Sequence, residues 1–330
     1  MEYRKFGKTD LEVSSIGFGA WGIGGPAMAG DIPIGWGEVD DRQSVAALKT
    51  AMDRGINFYD TAGFYGLGHS EELIGKTFGN RPDVLIATKV GHVLNEKGQF
   101  SVNYSRSHIA RACEASLKRL KRETIDYYQL YSARIEHLQQ GECIEAMEQL
   151  QKEGKIRYWG LSLNTFHPET EAAFLMERNL GDGFQVVFNI INQRGFPVIQ
   201  KAHASGYGII ARMPLQFGLL TGKFTKETRF EKDDHRAFRL PPSLLSKSLD
   251  ALEPVWEKAE EKSISKTALV LSYILGFKEI STVIPGIKTP EQAKLNTSDI
   301  TRLSEKDMDF IRQLYREKFI SLMKLMEEQG

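Results

Sequence analysis

Polar side chains follow several strand-like runs of the chain, and three of them, an Asp, a Lys and a Tyr, together have the chemistry of a proton donor. Asp60 ends one run and Tyr65 follows it in the stretch DTAGFY; Lys89 ends the next run. An ammonium beside a phenol favours the phenolate and lowers the phenol pKa, while a carboxylate holds the ammonium in place. Asp60 and Lys89, with a tyrosine that is either Tyr65 or Tyr131 at the end of the fourth run, therefore predict a general acid with its tuning groups. From spacing alone, an Asp–Lys ion pair with a purely structural role is the alternative.

The elements that must position these side chains are short strands separated by helices. Eight apolar or β-branched runs lack polar alternation, which is typical of parallel strands covered by helices on the outside. They are residues 16–20, 57–61, 84–89, 125–131, 156–161, 184–189, 208–213 and 281–284. In 330 residues, eight such units favour an α/β fold with one (β/α)8 barrel domain over residues 1–330, rather than a doubly wound sheet.

Several segments fall outside this alternation. Residues 3–13 contain a turn at 7–10 and predict a β-hairpin that caps the bottom of the barrel. Residues 22–39, rich in Gly and Pro, and residues 216–242 are long loops expected at the carboxyl ends of strands, where barrels carry function. Residues 305–329 predict one amphipathic helix.

Composition excludes several classes of function. Lys+Arg and Asp+Glu both number 43, so the zero net charge favours neither a nucleic-acid partner nor a charged membrane surface. The start, MEYRKFGKTD, lacks the apolar run of a signal peptide, and no membrane-spanning run follows, which predicts a cytoplasmic protein. Two unpaired cysteines and scattered single histidines predict no metal site. No pattern indicates the oligomeric state.

One motif points to a different fold and is rejected. Gly17, Gly19 and Gly22 match the G-x-G-x-x-G fingerprint of Rossmann dinucleotide-binding domains. That fingerprint requires a helix that opens directly after it, so that the pyrophosphate meets the helix N-terminus. Here Gly-Ile-Gly-Gly-Pro follows, and the next helical pattern begins near Asp41. We interpret the glycines as the exit of the first barrel strand into a loop.

Ordered motifs along nearly the whole chain resemble the aldo-keto reductases. They are KFGKTDLEVS (5–14), GINFYDTA (55–62), GHSEELIG (68–75), ATKV (87–90), IDYYQL (125–130), GKIRYWGLS (154–162), GLLTGK (218–223) and IPGIK (284–288). Members of this family are (β/α)8 barrels, mostly NADPH-dependent carbonyl reductases that bind the cofactor without a Rossmann fold. The resemblance therefore agrees with the rejection of the glycine motif.

The resemblance implies roles for individual residues. Tyr65 would be the general acid, Lys89 would lower its pKa and Asp60 would pair with Lys89. NADPH would supply a hydride to the carbonyl carbon while Tyr65 protonates the oxygen. Cofactor-binding positions match Ser162, Asn164 and Gln185 for the carboxamide, Leu215, Gly218 and Leu220 for the pyrophosphate, and Gly286, Lys288, Gln292 and Asn296 for the adenosine phosphates. A cation at Lys288 favours NADPH over NADH.

Two positions depart from the family pattern. Arg212 stands where many members stack an aromatic ring on the nicotinamide, and a guanidinium plane can stack similarly. Tyr131 occupies the fourth catalytic position, usually His; a phenol donates a hydrogen bond but cannot become a cation near neutral pH. Trp21 and His92 are expected to line the substrate pocket. A further hypothesis is that His92 supplies the imidazole absent at Tyr131.

The expected function is reduction of an aldehyde, ketone or sugar-like carbonyl to an alcohol with NADPH. One alternative is a cofactor-binding interaction or sensing module with little turnover, as in the potassium-channel β subunits of the family. Another is a redox-neutral enzyme that retains NADP. The expected partner is a small-molecule substrate. The loops determine which one, and their sequences do not identify it.

Overall fold

Eight short parallel strands form the centre of the protein, seen in a computed structural model that describes residues 1–231 and 234–329. In chain order they are Phe18–Gly19, Phe58–Asp60, Leu85–Val90, Ile125–Tyr131, Ile156–Ser162, Gly183–Val187, Gly208–Arg212 and Thr282–Ile284. Each strand pairs with the next along the chain. Parallel bridges from Ile16 to Val283 and from Gly19 to Gly286 join the first and eighth strands. The predicted (β/α)8 barrel is therefore confirmed, and every strand overlaps a predicted run.

Helices connect the strands and cover the outside of the barrel. They are Asp41–Asp53, His69–Phe78, Arg106–Leu120, Ile135–Gln140, Glu142–Lys152, Glu169–Glu177, Phe196–Ala204, His235–Arg239, Pro242–Glu261, Lys266–Leu275, Pro290–Thr297, Glu305–Leu314 and Ile320–Gln329. Side-chain caps start several of them: Ser105 accepts from the backbone N–H of His108, and Ser265 accepts from that of Ala268. The single helix predicted at 305–329 is interrupted by a π-helical turn at Tyr315–Phe319.

The predicted N-terminal hairpin is present and closes the bottom of the barrel. Strands Tyr3–Lys5 and Glu12–Ser14 pair antiparallel. Phe6, in the turn between them, is fully buried, with its ring centroid 4.9 Å from that of Tyr127. A Cβ on Gly208 would lie 2.6 Å from the Phe6 ring, so glycine at the start of the seventh strand leaves room for the Phe6 side chain.

Side chains of each strand alternate between the barrel interior and the helical layer. In the fourth strand, Tyr127 joins the interior cluster, while Tyr128 and Leu130 join the cluster beneath the helices. The same alternation directs Gln129 and Tyr131 inward. Inward residues at the carboxyl end of the strand therefore reach the mouth of the barrel.

Long segments surround that mouth. Residues 22–39, predicted as a loop, contain the hairpin Met28–Ala29 with Ile32–Pro33, and a second hairpin joins His92–Leu94 to Phe100–Val102. The backbone N–H of Gly30 donates to the Gly98 carbonyl at 2.8 Å, which links the two hairpins. The predicted loop 216–242 includes Lys232 and Asp233, which lie outside the described residues, as does Gly330. Within the described ranges, no helix combines the length and apolarity needed to cross a bilayer.

The exit of the first strand confirms the rejection of the Rossmann motif. A 3-10 helix, Ala20–Gly24, follows Phe18–Gly19 directly, and the first α-helix begins only at Asp41. Gly19 donates to the Pro285 carbonyl at 2.9 Å, and a Cβ there would lie 2.9 Å from the Ile284 carbonyl oxygen. The missing side chain therefore permits close contact between the first and eighth strands.

Candidate active site

Lys89 lies at the centre of the mouth and joins the other two predicted groups. Its Nζ lies 2.5 Å from Asp60 Oδ1, 2.7 Å from the Thr61 carbonyl oxygen and 3.3 Å from Tyr65 Oη. The Lys89 and Asp60 side chains are 0% and 2% exposed. Three acceptors surround the three ammonium protons, so the orientation of Lys89 is determined by its partners.

The second oxygen of Asp60 is also bonded. Gln129 Nε2 donates to Asp60 Oδ2 at 3.1 Å, and Gln185 Nε2 donates to the same oxygen at 2.7 Å. Ser162 Oγ lies 3.5 Å from Gln185 Oε1 as a hydrogen-bond donor. No role of Gln129 was predicted from the sequence, although its spacing of two residues from Tyr131 indicates that both side chains point into the barrel. Gln129 Oε1 is buried without a partner among the described residues.

A constrained loop holds Tyr65. In the 3-10 turn Tyr65–Gly68, Gly66 and Leu67 have φ values of 58° and 53°. A Cβ on Gly66 would lie 1.9 Å from the Gly24 carbonyl oxygen, so only glycine permits this approach of the first and second loops. Tyr65 is 8% exposed. The close contact thereby turns the Tyr65 ring toward Lys89.

The pKa of Tyr65 is shifted by its surroundings. Burial raises it above its ordinary value, the Asp60 charge raises it further, and hydrogen bonding with Tyr131 and the Arg212 charge only partly offset this. The lowering of this pKa by Lys89, which the family resemblance implies, stays a prediction. The phenol is protonated at neutral pH, which is the form able to donate a proton.

Aromatic rings flank Tyr65 on two sides. The Trp21 ring lies nearly parallel to that of Tyr65, with centroids 6.1 Å apart and planes inclined by 24°. Tyr131 meets Tyr65 edge-on at 6.3 Å, and His92 stacks on Tyr131 at 3.8 Å with planes 14° apart. The structure thus brings Trp21 and Tyr131 to the Tyr65 ring and stacks His92 on Tyr131; all three were named from the sequence.

His92 is an uncharged member of this group. Burial lowers its pKa to about 4, and the positive charges of Arg212 and Lys89 contribute. The imidazole is therefore neutral at pH 7, and a neutral imidazole can still donate one N–H hydrogen bond. Burial raises the pKa of Tyr131 above its ordinary value, so its phenol also stays protonated.

A second layer of aromatic residues fixes Trp21. Its Nε1 donates to the Ile34 carbonyl at 2.9 Å, and Trp36 and His235 contact its ring edge-on at 5.1 and 5.5 Å. His235 was not predicted from the sequence, because its partner Trp21 is far away in the chain.

The residues matched to the carboxamide and nicotinamide lie beside this centre. Arg212 Nη2 donates to the Leu163 carbonyl oxygen and to Thr165 Oγ1, both at 3.1 Å. Its Nε is buried and has no partner in the part of the chain that is described. Asn164 Oδ1 accepts from the backbone of Phe166 and His167 at 3.0 Å, which leaves its amide N–H groups free of that turn.

The residues matched to the pyrophosphate follow the seventh strand. Leu215 precedes the 3-10 turn Gln216–Thr221, which contains Gly218 at φ 89° and Leu220. The Leu220 side chain is fully buried in the core, so this residue offers only its backbone to the mouth.

The residues matched to the adenosine phosphates follow the eighth strand. The Lys288 backbone N–H donates to Gln292 Oε1 at 2.7 Å, and Lys288 Nζ lies 3.3 Å from the Trp36 carbonyl oxygen. A Cβ on Gly286 would have open space around it. Asn296 is 2% exposed, yet its Nδ2 has no partner among residues 1–231 and 234–329. A buried amide without a partner costs free energy unless a bound group accepts its proton.

Cations gather beside these residues. Burial lowers the pKa of Lys223 and that of Lys288, and the charge of Arg236 lowers both further. Asp234 forms an ion pair with Arg236. Among the described residues, Lys223, Lys288 and Arg236 supply three cations to this region, so a group that carries several phosphates fits the donor set. Arg236 was not predicted from the sequence. Lys223 was given no role, although it ends one of the family motifs.

Comparison with known proteins identifies the family of the chain. The model of the Aldo/keto reductase family matches residues 15–316. The uncharacterized oxidoreductase YqkF of Bacillus subtilis (strain 168) is 29% identical over 317 residues, covering 93% of this chain and 94% of YqkF. L-galactose dehydrogenase of Arabidopsis thaliana is 29% identical over 320 residues, covering 94% of this chain and 91% of that protein. The solved structure of glycerol dehydrogenase AKR11B4 from Gluconobacter oxydans gives a TM-score of 0.79 at 27% identity, covering 96% of this chain and 95% of that chain. The chain belongs to the aldo/keto reductase family.

Proposed function

We propose that this protein is an NADPH-dependent oxidoreductase that reduces an aldehyde, ketone or sugar-like carbonyl to an alcohol, with Tyr65 as the general acid. The observation that carries the proposal is the position of Lys89 Nζ between Asp60 Oδ1 and Tyr65 Oη, at 2.5 and 3.3 Å. A buried phenol beside an ammonium can release a proton into a water-poor mouth and leave a stabilised phenolate.

The side chains divide the proton transfer between them. Tyr65 Oη gives its proton to the carbonyl oxygen as negative charge develops there. The Lys89 ammonium stabilises the resulting phenolate, and Asp60 keeps the ammonium oriented. The Tyr131 hydroxyl donates a second hydrogen bond to the same oxygen, in the place of the family's usual imidazole.

The cofactor would be held by the residues around this centre. Its nicotinamide ring supplies the hydride when bound. Ser162, Asn164 and Gln185 would hold the carboxamide, and Arg212 would lie against the ring. The turn with Leu215, Gly218 and Leu220 would cover the pyrophosphate. Gly286, Lys288, Gln292 and Asn296 would bind the adenosine end, where the partnerless Asn296 amide supports this assignment.

The names of two relatives support a polyhydroxylated substrate. One is an L-galactose dehydrogenase and the other a glycerol dehydrogenase. Both names describe chemistry between an alcohol and a carbonyl. The parallel Trp21 ring offers this chain a flat apolar wall of the kind on which a sugar ring can stack.

Consumption of NADPH by the wild-type protein tests the proposal. We expect consumption with some member of a panel of aldehydes, ketones and aldoses. Binding of NADPH without consumption on every carbonyl would contradict it and favour the sensing module. NADP that stays bound through purification and is regenerated on one substrate would favour the redox-neutral enzyme.

The preference for NADPH is expected to depend on Lys288. Replacing Lys288 with Met removes a cation at the adenosine end, so the Kd for NADPH should rise about tenfold while that for NADH stays unchanged. Fluorescence titration with both cofactors measures this. Lys294→Met is the matched control, because Lys294 lies on the exposed side of the helix Pro290–Thr297. Equal weakening toward NADPH and NADH would contradict the assignment of Lys288 to the 2′-phosphate.

A further inference from the structure

His92 makes an unusually close contact for a residue outside the family motifs. It begins the strand His92–Leu94, and its ring lies face to face with that of Tyr131 at 3.8 Å. Phe64 and Phe100 meet its ring edge-on at 5.7 and 4.9 Å. No side-chain hydrogen bond of His92 occurs among the described residues, so its contacts here are those of an aromatic ring.

Tyr104 contacts the backbone on both sides of the stack of His92 and Tyr131. Tyr104 Oη donates to the Tyr131 carbonyl at 2.5 Å. The Tyr104 ring also occupies the position that a Cβ on Gly91 would take, 2.1 Å from such an atom. Gly91, at φ 126°, therefore lets the hairpin that carries His92 approach Tyr131.

The phenol of Tyr131 needs such support. Its backbone is held by strand pairing and by Tyr104, but the position of its hydroxyl also depends on the rotamer of the ring. Lys89 Nζ lies 5.6 Å from the ring centroid, as a cation–π contact. His92 covers one broad face of the ring.

We propose that His92 is a positioning residue for carbonyl polarisation. Its imidazole stacks on Tyr131 and holds that phenol so that the hydroxyls of Tyr131 and Tyr65 address the same carbonyl oxygen. The inference rests on the proposed function. It assigns His92 the role of a stacking partner of Tyr131 rather than that of the proton donor.

Substitutions that separate the ring from its nitrogens test the proposal. His92→Phe keeps a flat ring and is expected to retain most of kcat, whereas His92→Ala removes the stack and should lower kcat about tenfold with little change in KM. In a Tyr131→Phe background, His92→Ala should lower kcat no further, because the hydroxyl that it positions is absent. Phe100→Leu is the control: it removes a ring that contacts His92 but not Tyr131, and kcat should stay unchanged.

A measurement independent of turnover checks the contact itself. The imidazole proton resonances of His92 should be shifted upfield by the Tyr131 ring and should move downfield in Tyr131→Leu. The same spectra show whether each variant is folded.

Several results would overturn the inference. Loss of kcat in His92→Phe equal to that in His92→Ala would show that the imidazole nitrogens act directly. An effect on KM alone would make His92 a lining residue. Failure of the wild type to reduce any carbonyl would instead overturn the proposed function, whereas an active wild type with fully active His92→Ala would overturn this inference alone.

Discussion

Tyr65→Phe is expected to lower kcat for carbonyl reduction by about 10³-fold while leaving the affinity for NADPH unchanged. The substitution removes the oxygen that lies 3.3 Å from Lys89 Nζ but keeps the ring that packs beside Trp21. Pre-steady-state loss of nicotinamide absorbance measures the effect on the chemical step, and titration by fluorescence measures cofactor affinity.

The control for this variant is the same change at another buried tyrosine. Tyr128 is fully buried on the outward side of the fourth strand, and its hydroxyl has no partner in the described part of the chain. Tyr128→Phe should therefore leave both kcat and the free energy of unfolding nearly unchanged. A Tyr65→Phe enzyme that turns over like the wild type would refute the assignment of the general acid.

The pH dependence of kcat provides a second test of the role of Tyr65. Because burial and Asp60 raise the pKa of this phenol, the acid stays protonated across the neutral range. Wild-type kcat is thus expected to stay level from neutral to mildly alkaline pH and to fall only above the ordinary tyrosine pKa of about 10. A fall in kcat centred near pH 7 would show that a different group supplies the proton.

Lys89→Met is expected to lower the free energy of unfolding by about 3–5 kcal/mol. Met has a similar length and fills the space, but it leaves the Asp60 carboxylate buried without its counter-charge. Gln129 and Gln185 still donate to Asp60 Oδ2, whereas Oδ1 loses its 2.5 Å partner. Urea denaturation followed by circular dichroism measures the change.

A double variant separates the charge from the packing. Adding Asp60→Asn to Lys89→Met removes the uncompensated carboxylate, so much of the lost stability should return even though catalysis stays impaired. Arg81→Met is the surface control, because the Arg81–Asp83 pair is about half exposed at both ends, and its removal should have no measurable effect. A double variant no more stable than Lys89→Met would show that the loss comes from packing.

The barrel itself could be predicted because its signals are local. Each strand is a short apolar run without polar alternation, as at 125–131, and the helices between them carry their own caps, such as Ser105 and Ser265. The two hairpins at the mouth escaped prediction for the opposite reason. Residues 22–39 and 92–103 are mixed in polarity, and a contact between loops, Gly30 to Gly98, helps to order them.

The residues of the candidate site also fall into those that the sequence predicts and those that it does not. Asp60, Lys89 and Tyr131 stand at strand ends, and parallel strands bring their carboxyl ends together, so their convergence follows from the pattern. Gln129 was visible but unassigned, because its role depends on Asp60 in a different strand. Arg236 was missed altogether, since no local pattern distinguishes it from a solvated surface charge.

By itself, the sequence determined the fold class, the convergence of Asp60, Lys89 and Tyr65 at the barrel mouth and the rejection of a Rossmann domain, because all of these depend on residue types and spacing along the chain. Only the tertiary structure decided the protonation states and the partners. Burial and the Asp60 charge raise the pKa of Tyr65, while burial and the charges of Arg212 and Lys89 lower that of His92. These outcomes arise from desolvation and from charges that are distant in the chain but adjacent in space, and spacing along a sequence carries neither quantity.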